Sequence, residues 1–146
     1  MTEGPRRPAV VALLVYTLLV SWLLLSPSST APTAGVAWLA DLATGLGMPD
    51  SLVSPARTEF LSNVAVMVPV AVLAGTLWTR QSWRDWAAFG FVISCSVELV
   101  QGLFLPGRSA TFDDVVANTL GMALGGLALD LRRRRTGGAG PSGRSS

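Results

Sequence analysis

The chain has 146 residues, half of them hydrophobic and only 14% charged. Ordinary soluble domains carry about 25% charged residues, so this balance excludes a conventional water-soluble globule and points to one domain of membrane-spanning helices. Histidine is absent and Cys95 is the single cysteine, which excludes Ser-His-Asp and Cys-His catalysis, histidine metal sites and an intramolecular disulfide.

A spanning helix needs about 20 largely apolar residues. The first such stretch runs from Pro8 to Leu25, uncharged and preceded by Arg6 and Arg7. A basic start followed by Ser29, Thr30 and Ala31 also suits a secretory signal. The apolar run is too long for one, however, and Pro32 would sit just after the cut, so a retained helix is the better reading. Residues 26–35, SPSSTAPTAG, read as a loop. In VAWLADLATGLG, the residues Val36, Leu39, Leu42 and Leu46 recur every three or four positions. That stretch is too short to span and suits a helix lying at the interface, with Trp38 among the headgroups.

Phe60 to Thr79 is the second expected span, with Asn63 near its start and Pro69 in its middle. The turn RQSWRDW leads into the third, Ala87 to Leu105, with Trp83 and Trp86 expected as interfacial anchors. Cys95 in this span reads as a buried, inert packing residue. The fourth span is Val115 to about Leu131, and residues 132–146 read as a basic, disordered tail. The expected fold is therefore all-α and polytopic. Residues 1–131 form a membrane domain of four transmembrane helices and a short outer interfacial helix. With four spans, nine of the eleven arginines fall on the side of both termini. The excess of arginine on cytoplasmic loops then places both termini in the cytoplasm of a cell-membrane protein.

The functional signal lies between Glu98 and Gly126. Polar side chains at membrane depth are costly and usually mark function. Ser94, Glu98 and Gln101 share one helix face by spacing, and so do Asp114, Asn118, Gly121 and Gly125 on the next helix. With Asn63 at similar depth and Arg108 in the intervening turn, an outward-facing pocket is expected. Its binding residues would be Asn63, Glu98, Gln101, Arg108, Asp114 and Asn118. Each has a plainer role available. Thr111 to Asp114 is a capping box, the principal role expected of Asp113 and one open to Asp114 as well. The glycines suit helix packing in the GxxxG manner, and Asn63 could simply tie helices together. Glu98 must be protonated, paired with Arg108 or bound to a ligand, and a structural Glu98–Arg108 bridge competes with a functional one. The run Arg132 to Arg135 reads as a topology determinant near anionic lipid.

The order E98-x-x-Q101, P106-G107-R108, D113-D114, N118, G121 and G125 resembles the C-terminal signature of VanZ-like membrane proteins. Asn63 followed by Pro69 resembles an earlier helix of that family, so the likeness covers 60–131. Many members also carry an Asp-Lys-x-x-His element, which a chain without histidine lacks. The resemblance implies a bacterial cell-envelope protein connected with antibiotic resistance of the teicoplanin type. Its partners would be membrane lipids and a lipid-linked envelope precursor or the glycopeptide itself, not nucleic acid. No metal or other cofactor is expected, and the balance leans away from an enzyme. A membrane hydrolase or transferase acting on a lipid head group is the alternative, with Glu98 as general base and Asp114 as acid or metal ligand, the two catalytic candidates. A small proton-coupled transporter using Glu98 is the third reading.

Overall fold

A computed structural model describes residues 6–25, 37–38, 41–42, 44–49, 53–104 and 111–137. Its four helices are α1 (Arg6–Leu25), α2 (Pro55–Leu77), α3 (Trp83–Phe104) and α4 (Phe112–Gly137), and no strand occurs among the described residues. Three of them, Pro55–Leu77, Trp83–Phe104 and Phe112–Thr136, are long and apolar enough to cross a membrane. Residues 37–38, 41–42 and 44–45 are helical as well. This turn closes at Gly47 with φ of 81°, a left-handed value that glycine adopts without steric cost and that commonly stops a helix.

Each long helix begins where its residues supply a start. Pro55 opens α2 at a position where its missing N–H costs nothing. The hydroxyls of Thr58 and Ser62 donate back to the carbonyls of Ser54 and Thr58, which removes two polar groups from an apolar surface. Asp85 accepts from the Ser82 N–H at 2.8 Å and hydroxyl at 2.9 Å, which caps α3. Helix α2 continues through Pro69. The ring leaves the Ala65 carbonyl without its usual donor, and beside it Tyr16 of α1 donates to the Val66 carbonyl at 2.9 Å.

Helix α4 is the centre of the bundle, packed along both α2 and α3, whereas α1 leans chiefly on α2. The small residues of α4 explain how close it comes. A Cβ on Gly121 would lie 2.3 Å from the Val64 carbonyl oxygen, and one on Gly125 would lie 2.6 Å from that of Val68. Both contacts are with backbone, which cannot swing aside, so only glycine allows this seam. Ala71 and Ala117 are fully buried. On the other flank of α4, Met122 packs onto Gly90 of α3, and Gly126 lies against Trp83 and Trp86.

Three expectations are corrected here. Trp86 is 5% exposed and is a core residue, because Gly75 and Gly126 leave a slot for its indole. It is not an interfacial anchor. Cys95 is exposed on α3 rather than buried, since the inward stripe of that helix is Trp86, Gly90, Ser94 and Gln101. Finally, helical structure extends past Leu131 to Gly137; residues 138–146 of the expected tail lie outside the described residues.

The extension has a physical reason. Arg133 Nη2 donates to the Gly75 carbonyl at 2.7 Å and Nη1 to that of Gln81 at 3.1 Å. It thereby covers an end of α2 that would otherwise leave carbonyls unsatisfied. Asp130 lies 3.5 Å from the same guanidinium and accepts from the Trp83 N–H, the first turn of α3, at 3.0 Å. One turn of α4 thus fastens the end of α2 to the start of α3.

Gly125→Leu is expected to lower the stability of the purified protein by about 1–3 kcal/mol, as overpacking does in a closed core. Leu124→Ala, on the exposed side of the same turn, should stay within about 0.5 kcal/mol. Equilibrium unfolding in mixed micelles checks both.

Candidate functional site

The site follows from where α4 begins. Glu98 lies six residues before Phe104, the end of α3, about 9 Å at the helical rise. Its Oε2 accepts from the backbone N–H of Thr111 at 2.9 Å, the residue just ahead of α4. The N-terminus of α4 is therefore level with Glu98, well inside the end of its neighbour. The first N–H groups of any helix lack partners within it, and here neighbouring side chains supply acceptors.

They do so in a connected set. Thr111 caps α4 as its sequence suggests, Oγ1 accepting from the Asp114 N–H at 3.3 Å and donating to Asp114 Oδ2 at 2.8 Å. In a standard capping box the residue-three carboxylate would also take the cap's own N–H. Here Glu98 from α3 takes it instead, leaving Asp114 Oδ1 for a donor on another helix. Asn63 Nδ2 of α2 is that donor, in a short hydrogen bond. Asn63, Glu98, Thr111 and Asp114 thus join α2, α3 and α4, with two carboxylates beside the positive end of the α4 dipole.

Of the six expected site residues, Asn63, Glu98 and Asp114 meet in this network. Asp114 is both cap and link, so its two readings are compatible. Gln101 is 4% exposed, one turn nearer the end of α3, and Asn118 is 3% exposed, one turn further along α4. Arg108 lies outside the described residues, and Asp113 is exposed. Ser94, also closed off from solvent, continues the stripe inward on α3. Asn118 Oδ1, Ser94 Oγ and Thr119 Oγ1 are buried with no hydrogen-bond partner. Sequence reasoning missed Thr119, which lies off the 114–118–121–125 stripe. It also missed Thr111 as a link between helices, because a backbone N–H carries no residue-type signal.

A cavity of about 100 Å³ opens among Val20, Met67, Val70, Ile93 and Met122. Its lining runs from Met122, two turns of α4 beyond Asp114 and about 12 Å along the axis, up α3 to Val97, the residue before Glu98. Among the described residues, no three His, Cys, Asp or Glu side chains gather closely enough to hold a metal ion.

The long apolar helices define a multi-pass helical membrane protein. Residues 13–133 match the VanZ/LLP1 family, and the chain belongs to that family. No curated protein and no solved structure gives a significant match.

Disrupting the Asn63–Asp114 bond is expected to be non-additive. Asn63→Ala and Asp114→Ala, measured singly and together in a double-mutant cycle, should show a coupling of about 0.6–1.7 kcal/mol, the range of interhelical polar contacts in membranes. Additive losses would mean that the two side chains act separately.

Proposed function

We propose that the protein is a four-span component of the bacterial cell membrane with a polar binding site at the outer end of α2, α3 and α4. Helix α1 is the fourth span in this reading, supported by its 20 residues and its anchorage to α2 through Tyr16. The helical residues within 37–45 are the interfacial element, with Trp38 exposed. Both termini are cytoplasmic because the arginine-rich end of α4 faces the cytoplasm. Asp114 and Arg133 lie about 28 Å apart along α4, a span that matches a hydrocarbon core of about 30 Å and supports a polar network at the outer face.

The observation that carries the functional reading is this convergence of Asn63, Glu98 and Asp114 from three helices. The network, with Gln101, Asn118 and Arg108, binds a polar group of a lipid-linked envelope precursor or of a glycopeptide. Arg108 and the α4 N-terminus attract its anionic part, and the carboxylates and amides orient it. Family membership supports a role in teicoplanin-type resistance by reduced glycopeptide access. The engagement of Glu98 with the Thr111 N–H favours binding over general-base catalysis, since a base must be available to the proton it removes.

The test is expression in a glycopeptide-susceptible bacterium, with inhibitory concentration and surface-bound labelled teicoplanin measured together. Wild type should raise the first and lower the second. Asp114→Asn, which keeps an acceptor for Asn63 but loses the charge, should reach the membrane at normal levels and lose both effects. Unchanged susceptibility and label binding with wild type would refute the resistance role.

A further inference from the structure

The four consecutive arginines at the end of α4 do not behave as one group. Arg133 is turned into the protein, bonded to Gly75 and Gln81 and paired with Asp130. Arg132, Arg134 and Arg135 are exposed. They are held on a helix that continues to Gly137, so they project to different sides at fixed positions. Arg80 and Arg84, in and just after the turn between α2 and α3, are exposed at the same end. The acidic groups of this end are already engaged. Asp85 caps α3 through Ser82, and Asp130 holds Trp83 and Arg133. Arg80, Arg132, Arg134 and Arg135 therefore have no acidic partner among the described residues.

Two exposed tryptophans share this level. Trp78 is 52% exposed and Trp83 is 40% exposed, with the Arg84 guanidinium 5.6 Å from the centre of the Trp83 ring. Indole rings settle at the headgroup level of a bilayer. They place the arginines just beyond the hydrocarbon, where lipid phosphates lie.

We propose that Arg80, Arg132, Arg134 and Arg135 form a collar that binds anionic phospholipid headgroups, while Arg133 serves only to close the bundle. The occupant is the membrane's own lipid, because the charges surround helix ends that also carry the exposed indoles of Trp78 and Trp83. Clusters of four or more basic residues beside a span select anionic lipid, each contributing about fivefold in affinity. The inference is independent of the polar network at the other end of α4.

Full-length protein in non-ionic detergent would be titrated with dioleoyl phosphatidylglycerol or dioleoyl phosphatidylcholine, retained lipid being counted by native mass spectrometry. Wild type should prefer phosphatidylglycerol. The triple variant R132Q/R134Q/R135Q should lose about a hundredfold of that preference, at about fivefold per arginine. R133Q should keep the preference while lowering the thermal midpoint equally in both lipids. Equal binding of the two lipids by wild type, or an undiminished preference in the triple variant, would overturn the proposal.

Discussion

A helix that starts beside the flank of its neighbour, rather than beyond that neighbour's end, presents its free backbone N–H groups to the neighbour's side chains, and α4 is such a helix. That constraint accounts for an acid in the middle of apolar sequence. Glu98 is placed on α3 at the level where the Thr111 N–H needs an acceptor. Asp114 is left free to take the amide of Asn63. The two carboxylates are therefore structural before they are anything else. Any ligand they bind must compete with, or add to, contacts already in place.

The same economy shapes the other end of α4. Arg133 and Asp130 satisfy the end of α2 and the start of α3, again through side chains. Between these polar ends, α4 has little hydrophobic driving force to draw on, because lipid is as apolar as the helix faces. Association there depends on close packing, which Gly121 and Gly125 permit by letting α4 touch the backbone of α2. Polar ties at both ends hold the register, and the glycine seam supplies contact along the length. Helix α1, joined through Tyr16 and lacking such a seam, is the more peripheral member.

Much of this was legible beforehand, and for identifiable reasons. The apolar runs around 60–79, 87–105 and 115–131 mark α2, α3 and α4, because solvation in lipid imposes length and composition. The i, i+4 spacing of Asp114, Asn118, Gly121 and Gly125 marks the face of α4 that meets α2. What could not be read depends on partners distant in the chain. Trp86 looks like a headgroup anchor until Gly75 and Gly126 are seen to make room for it. Cys95 looks buried until the inward stripe of α3 is known. Arg133 is indistinguishable from its three neighbours by sequence, and only the position of the α2 end selects it. Of the candidate site, estimated depth aligned Asn63 and Glu98 with Asn118, whereas the hydrogen bonds tie Asn63 and Glu98 to Asp114 and Thr111. Their connection through Thr111 arises from a backbone group that no motif displays.

The central claim is that α2, α3 and α4 are tied at one level by polar side chains around the start of α4. Paired cysteines introduced at Asn63 and Asp114, in a Cys95→Ser background, test it most directly with a short bifunctional thiol reagent in native membranes. Fast cross-linking of this pair is predicted, with none for a Leu99–Asp114 pair, because Leu99 is 63% exposed and off the inward stripe of α3. Equal cross-linking of both pairs, or none for the first, would contradict the account.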